Sequence, residues 1–447
     1  MSTTGHKAWP KLTSRDEFRF IAEQVFKRSI GDHALVTLHD QHCGTTRFAN
    51  SQIVQNVDTR RGSLSVTVAF GQRHGTAGTT DFTAGAVQDA VARATEIARV
   101  SPDDPEYLPP PEPRHYPTPP TMRGETAAAG PARRLEYTNE AIGQCRMENL
   151  GAAGIVSSSI AAVGVASSTG LFAHEDRTDA RFSLTAQAGE ATGWSATAHR
   201  SIDHLRIQER TLTAIDKAKR GLEVRELPPG RYTVILEPAA VAGLWSSLLW
   251  MLDAKSYEKG TSAFSGKLGK LIVDERLTLR NLPTHEDLLG IGFTTEGLPT
   301  VPSDWISDGV LTQLAYDRFT AKGRGIDPIP TLDAPCLSGR GSSVPTLQEM
   351  VKHAERAILV TNFWYIRTVN PTDLTLTGMT RDGTFLVEKG AIVSAVKNFR
   401  FHESPLRVFN RIEAFTNPVE AITSETGKLL VPAMTLRDFN FSSVTRF

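Results

Sequence analysis

A proline-rich segment divides this sequence. Nine prolines lie between Pro102 and Pro120, and three of them are consecutive at 109–111. Proline fixes φ and has no amide hydrogen, so neither a helix nor a paired strand can run through such a stretch. The segment must therefore be an extended connector, which separates a predicted lobe 1–105 from a second lobe 106–225. The turn sequence Leu-Pro-Pro-Gly at 227–230 marks the start of a third part, 226–447.

The charge balance and the cysteines limit the class of protein. Lysine plus arginine and aspartate plus glutamate both number 49, so the formal net charge is zero and gives no general attraction for nucleic acid or an anionic membrane. Cys43, Cys145 and Cys336 are far apart, which argues against a disulfide framework and favours a reducing compartment. The N-terminus lacks a signal-peptide pattern, and polar residues interrupt the most apolar segment, 234–252. We therefore predict a cytoplasmic protein that binds neither nucleic acid nor membrane.

Hydrophobic periodicity predicts an α+β fold. Helical spacing recurs in five segments: 14–29, 81–101, 131–150, 209–223 and 239–252. Strand patterns occur at 45–57, 63–70, 232–236 and 431–447, with an antiparallel meander over 151–204. Tight hairpins are predicted at 307–309, 381–383 and 388–390. Together these patterns predict N-terminal α/β lobes followed by a β-rich C-terminal domain with antiparallel sheets and a buried apolar helix at 239–252.

The sequence offers no assembled catalytic motif. A zinc hydrolase needs two imidazoles on one helix face with a carboxylate beside them. None of the three His-Glu pairs, at 174, 285 and 402, is followed by a second histidine four or five residues later. A nucleophile elbow and a phosphate-binding loop are also missing from the sequence.

Two weaker candidate sites are not excluded by this search. His39, His42 and Cys43 form the best local metal-like cluster, although residues three apart in a strand point to opposite faces. Cys336 is a candidate thiolate nucleophile, but free cysteine is among the most buried residue types and no base is adjacent to it.

The order of several segments resembles the TldD/PmbA family, also described as modulators of DNA gyrase. The similar segments are 46–51, the helix before Pro102, the turn and strand at 227–238, residues 296–300 and 305–310, and the closing strands. The likeness extends over residues 15–447. It implies the α+β fold predicted above.

The resemblance also implies a degenerate site. Members of the TldD branch resemble zinc peptidases, with a H-E-x-x-x-H helix after the Pro-Gly strand and a C-terminal cysteine as a further ligand. The PmbA (TldE) branch keeps the fold without these ligands. Placed by the preceding glycine, Ser247 and Leu252 stand at the two histidines, Leu248 at the glutamate and Thr426 at the cysteine. Aliphatic and hydroxyl side chains are poor zinc ligands, so no metal ligand and no catalytic residue is expected in this chain.

The function that follows from the resemblance is that of a non-catalytic subunit in a heterodimeric metallopeptidase. A TldD-like partner would supply the zinc, and the two chains would enclose an extended peptide. One alternative is a homodimeric hydrolase of a peptide or an amide-linked small molecule, with a recruited site at His39, His42 and Cys43 or at Cys336. The other alternative is a peptide-binding module.

Overall fold

The computed structural model describes residues 11–341, 344–423 and 427–445. Within these residues the chain forms three β-sheets with helices packed against them, so the predicted mixed α+β class is confirmed. No helix in the described part is long and apolar enough to cross a membrane.

Sheet 1 contains six antiparallel strands in the order β3-β2-β1-β4-β5-β6. The strands are β1 His33–Ala49, β2 Gln52–Phe70, β3 Arg73–Thr79, β4 Gly151–Ser167, β5 Phe172–Ala188 and β6 Ala191–His199. The centre of the sheet is the pairing of β1 with β4 over residues 35–48 and 154–167. Because β1 precedes the proline connector and β4 follows it, the first two predicted lobes share one sheet.

Helices cover one face of sheet 1. They are α1 Arg15–Arg28, α2 Ala84–Val100, α3 Gly124–Ala127, α4 Pro131–Met147 and α5 Ile207–Arg220, with a 3₁₀ turn at Ile202–His204. A capping box begins α1, since Ser14 and Glu17 bond reciprocally at its start. Even-numbered residues of β1, such as Val36 and Leu38, are buried against Phe18 of α1 and its neighbours. The odd-numbered residues lie on the other face, which we call the open face.

The C-terminal part contains the other two sheets. Sheet 2 has the order β11-β10-β9-β12-β19-β18, and sheet 3 has the order β13-β8-β20-β16-β14-β15-β7 with β17 on β20. Their strands are β7 Val224–Arg225, β8 Gly230–Leu236, β9 Leu277–Asn281, β10 Ser303–Ser307, β11 Val310–Leu311, β12 Pro335–Gly339, β13 Arg356–Asn370, β14 Thr375–Glu388, β15 Ala391–Val396, β16 Phe399–Glu403, β17 Ile412–Phe415, β18 Val419–Thr423, β19 Gly427–Val431 and β20 Met434–Val444. β13 also pairs with β14, which closes five strands of sheet 3 into a ring.

One long helix is buried between the sheets of this part. The helices here are α6 Pro238–Leu249, α7 Ala254–Glu258, α8 Arg318–Arg324, α9 Leu347–Lys352 and α10 Pro405–Val408. Val241, Leu244 and Trp245 of α6 are at most 1 % exposed and belong to the largest hydrophobic cluster. The predicted buried apolar helix is therefore confirmed.

Two local predictions are wrong. The predicted strand 45–57 is a hairpin, because Asn50 and Ser51 adopt positive φ and reverse the chain between β1 and β2. The predicted hairpin at 381–383 lies inside β14, where Asp382 and Gly383 form a bulge opposite Thr361. Asp-Gly supplies positive φ in both settings, so the pair alone does not distinguish a turn from a bulge. The hairpins at 307–309 and 388–390 are confirmed.

Candidate functional site: a cleft beside the buried helix

A cleft lies where the open face of sheet 1 meets the C-terminal part. Its volume is about 680 Å³. One wall consists of β4, β5 and β6, and the opposite wall consists of α6, β13, β14 and the end of β18. The cleft therefore draws residues from segments more than 200 positions apart in the sequence.

One face of α6 borders this cleft. The lining residues of the helix and the turn after it are Gly243, Ser246, Ser247, Trp250 and Met251, a spacing that follows a single helix face. Trp250 is 65 % exposed. The Ser246 hydroxyl donates to the carbonyl oxygen of Ala242 at 2.8 Å, as is common for a serine within a helix.

Of the predicted zinc-site positions that the structure describes, Ser247 alone lines the cleft. Leu248 and Leu252 are 0 % and 3 % exposed and pack in the hydrophobic core. Thr426 lies outside the described residues. The H-E-x-x-x-H spacing is i, i+1, i+5, and the cleft-lining residues with that spacing are Ser246, Ser247 and Met251. The helix thus presents the partly exposed Ser247 hydroxyl and Met251 thioether, with the buried hydroxyl of Ser246 beside them, and neither an imidazole nor a carboxylate.

A buried carboxyl group, that of Asp382, lies in β14, in the same wall of the cleft as α6. Asp382 is 9 % exposed and sits in the β14 bulge with φ +56°. Its Oδ1 accepts a hydrogen bond from the Thr192 hydroxyl at 3.0 Å, and Arg381 Nε lies 3.7 Å from Oδ2. Burial raises the pKa of this carboxyl, against the opposing effects of Thr192, Arg381 and Lys217.

The far half of β13 forms an edge along the cleft. Residues 362–368 line the cleft, whereas the pairing of β13 with β8 is confined to residues 358–360. Beyond that point β13 pairs with β14 on one side, and no other described strand pairs with its second side. Trp364 and Tyr365 are 46 % and 54 % exposed, with the guanidinium groups of Arg381 and Arg367 over their rings.

The local histidine and cysteine cluster is split by the sheet. His42 is buried on the helix-covered face, and burial lowers the pKa of its imidazole. His39 and Cys43 lie on the open face of β1. The expectation that His39 and His42 diverge is therefore met. Across residues 11–341, 344–423 and 427–445, no group of three or more His, Cys, Asp or Glu side chains is arranged to hold a metal ion.

Cys336 is located in β12 and is not among the residues that line the cleft. It is 9 % exposed and packs with Leu288, Ala334 and Leu430. Burial raises the pKa of its thiol, which favours the neutral form over the nucleophilic thiolate.

Sequence comparison identifies the family. Three sequence models of the PmbA/TldA metallopeptidase match in consecutive order: domain 1 at residues 44–98, the central domain at 124–222 and the C-terminal domain at 229–443. The chain belongs to the PmbA/TldD family. The α6 cleft lies between the parts matched by the central and C-terminal models.

Solved structures and a curated relative agree with this family. TldE from Thermococcus kodakarensis is 19 % identical, with a TM-score of 0.84 over 95 % of this chain and 99 % of that one. A candidate DNA gyrase modulator from Thermotoga maritima is 17 % identical, with a TM-score of 0.84 over 95 % and 99 %. A metalloprotease from Methanothermobacter thermautotrophicus is 29 % identical over 124 residues, which is 27 % of each chain. The structures establish the PmbA/TldD fold, and the curated relative matches over about a quarter of its length.

Proposed function

We propose that this protein is the subunit without zinc ligands in a two-chain metallopeptidase of the PmbA/TldD family. A TldD-like partner supplies the zinc and the general base, and this chain completes the chamber for an extended peptide. The observation that carries the proposal is the face of α6: the cleft-lining positions with the i, i+1, i+5 spacing are Ser246, Ser247 and Met251. Neutral hydroxyls and a thioether do not fit a catalytic zinc ion, so no catalytic step is assigned to this chain.

The role of the cleft is to bind the peptide backbone. The edge at residues 362–368 of β13 offers amide and carbonyl groups to an added strand, a common mode of peptide recognition. Positive φ at Tyr365 interrupts the regular alternation of this edge, which limits the added strand to short stretches on either side. Trp250 and Trp364 provide apolar surface for peptide side chains. A cytoplasmic location agrees with three free cysteines.

Co-purification with a partner tests the proposal. The tagged full-length chain is co-expressed with a TldD-like protein from the same source, and cleavage of an extended peptide is measured with each chain alone and with both. We expect a stable complex and cleavage only when both chains are present. If the partner does not bind, or if its activity is unchanged without this chain, the proposal is wrong.

A pair of matched variants tests the role of the cleft. Trp364→Ala should lower peptide turnover by the complex about tenfold, because an exposed aromatic anchor in a binding cleft typically contributes about 1–2 kcal/mol. Phe20→Ala is the control, since Phe20 is 61 % exposed on α1, which covers the opposite face of sheet 1. Equal turnover by the two variants would argue against peptide binding in this cleft.

The alternative of a homodimeric hydrolase predicts a stoichiometric metal ion and peptide cleavage in the chain purified alone. A pure binding module instead predicts peptide affinity without any effect on the turnover of a partner. Metal analysis by mass spectrometry and the same cleavage assay therefore distinguish all three functions.

A further inference from the structure

The α6 cleft continues into a second groove over the open face of sheet 1. This groove has a volume of about 870 Å³ and is lined by β1, the first half of β2, β4 and β5. It shares Ile155, Ser183 and Thr185 with the cleft, so the two cavities form one depression, which we call the trough.

The size of the trough suits an extended chain. It crosses the sheet from β2 to β6 by way of β1, β4 and β5. Four inter-strand spacings of about 4.8 Å give a length of roughly 19 Å, which corresponds to about six residues of extended peptide. The centre of the floor consists of small side chains, including Thr45, Ser183 and Thr185.

The charges along the trough have predominantly one sign. Arg47 and Arg61 line the second groove and are exposed, and within the described part of the chain neither forms an ion pair. The cleft adds Arg181, which pairs with Asp179, together with Arg367 and Arg381. No described Asp or Glu lines the second groove. Among the described residues that line the cleft, Asp382 is the one acidic residue, and it is mostly buried.

We propose that the trough selects peptides with an acidic stretch beside the segment held in the cleft. This proposal rests on the proposed function, which supplies the peptide, and adds the class of sequence that is preferred. Carboxylates of Asp or Glu side chains would meet Arg47 and Arg61, two cations that have no carboxylate partner in the described structure.

A peptide is favoured over a nucleic acid for two reasons. The trough runs directly into the edge at residues 362–368 of β13, whose backbone groups match an extended polypeptide. The whole chain has 49 basic and 49 acidic residues, so it has no general attraction for a long polyanion.

Fluorescence anisotropy with the full-length chain provides the first test. The probes are labelled, capped 12-residue peptides, each with a common neutral half and a second half rich in Glu, Gln or Lys. Each peptide is made in two versions, with the second half at the N-terminal or the C-terminal end, so that both binding directions are tested. We expect the Glu peptide to bind about tenfold more tightly than the Gln peptide at low salt. This advantage should shrink as salt increases, because exposed ion pairs are screened.

Charge variants locate the effect. Arg47→Gln with Arg61→Gln should weaken binding of the Glu peptide about three- to tenfold and leave the Gln peptide unchanged. The control is Arg28→Gln with Arg99→Gln, which removes the same charge from exposed positions on α1 and α2, on the covered face of sheet 1. Equal losses in the two double variants would overturn the proposal.

Cys43 provides an independent readout of position. It lines the trough and is partly exposed, whereas Cys145 and Cys336 are buried. The Glu peptide should therefore slow maleimide alkylation of Cys43, measured by mass spectrometry, at least fivefold at saturation. Unchanged alkylation with saturating Glu peptide would overturn the trough as its binding site.

The outcomes separate this proposal from the proposed function. Equal affinity for the Glu and Gln peptides would overturn the charge preference and leave peptide binding in place. Failure of all three peptides to bind would contradict both. Tighter binding of a 12-nucleotide single-stranded DNA than of the Glu peptide, with protection of Cys43, would assign the trough to nucleic acid and overturn the proposal.

Discussion

At the residue scale, Asp382 combines strain with burial. Its positive φ is uncommon for a residue other than glycine, and its carboxyl group is almost fully buried between β6 and β14. Backbone strain of this kind is retained where the surroundings fix it, often at functional sites. The Arg-Asp-Gly sequence indicated a special conformation at this position, but not that the carboxyl group would line a cleft.

Asp382 should make stability depend on pH. Burial raises the pKa of the folded-state carboxyl above its value in the unfolded chain, so the folded state binds the proton more tightly. The free energy of unfolding is therefore reduced as pH rises through the pKa of Asp382 in the folded state. The reduction is absent at a pH below the pKa of the same carboxyl group in the unfolded chain. Asp382→Asn cannot ionise and tolerates positive φ. It should gain about 1 kcal/mol over the wild type at pH 7 and lose that gain near pH 3, measured by urea unfolding.

The control for this prediction is Asp382→Ala. It removes the hydrogen bond from Thr192 and places alanine at φ +56°, so it should be less stable than Asp382→Asn at both pH values. A pH-independent difference between Asp382→Asn and the wild type would contradict the prediction.

A second residue-scale prediction concerns Arg134 of α4. Its side chain is fully buried against the covered face of sheet 1, and its guanidinium donates to Asp58 Oδ1 at 2.6 Å. Gly44 is required beside it, because a methyl group there would clash with the guanidinium. Asp58→Ala leaves this cation without its carboxylate and should lower the free energy of unfolding by about 3 kcal/mol, measured by denaturant titration.

A double-mutant cycle measures the interaction energy between Asp58 and Arg134. Asp58→Ala combined with Arg134→Met removes both charges, so the double variant should be more stable than Asp58→Ala alone. If Asp58→Ala lowers stability by less than 1 kcal/mol, the ion pair does not compensate the buried charge.

At the scale of the element, the orientation of α6 determines which of its residues line the cleft at the spacing of the family's H-E-x-x-x-H motif. Hydrophobic residues on most of its circumference made the buried helix predictable, but they gave no way to tell which narrow face would border a cleft. The resemblance, placed by Gly243, puts positions 248 and 252 among the degenerate zinc-site positions, and in the packed helix Leu248 and Leu252 lie in the core.

Two triple variants distinguish the registers of α6. Ser246→His, Ser247→Glu and Met251→His place the H-E-x-x-x-H pattern at the cleft-lining positions. Because Ser246 is only 1 % exposed, this variant should lose about 1–3 kcal/mol of stability, but it should still bind zinc more tightly than the wild type in isothermal titration. Ser247→His, Leu248→Glu and Leu252→His instead put polar groups at core positions and should lower stability by more than 4 kcal/mol. The reverse result would place the motif at residues 247, 248 and 252.

At the scale of the whole molecule, the segments before and after the proline connector form one continuous sheet. β1 and β4 pair across it, and sheet 1 in turn contacts the C-terminal part. Lys217 Nζ lies 2.7 Å from a Glu237 oxygen, and Arg200 donates to the Gly290 carbonyl at 2.6 Å. These contacts hold the walls of the α6 cleft together.

Cutting the connector should leave the fold intact. A protease site inserted between Arg114 and His115, which are both exposed, allows the chain to be nicked there. The nicked protein should elute from size exclusion as one species and keep its peptide affinity, because the β1–β4 pairing holds both fragments. Separation of the fragments without denaturant would show that the connector itself is required.

The sequence by itself determined the elements and the family. Apolar spacing at periods of 3.6 and 2 specified α1, α2, α4, α5, α6 and the strands β4, β5, β6, β8 and β20, because each period places the apolar side chains on one face. The order of the segments was enough to recognise the PmbA/TldD family, because the turn and strand patterns of the family are found in the same order along the whole chain.

Only the tertiary structure decided where these elements meet. It placed the Asp382 bulge rather than a hairpin at 381–383, turned Ser246, Ser247 and Met251 toward the cleft, and joined the cleft to the groove that contains Arg47 and Arg61. Each of these features depends on contacts between residues far apart in the chain. Local periodicity cannot encode them, because a helix or strand with several acceptable faces is oriented by the surfaces that pack against it.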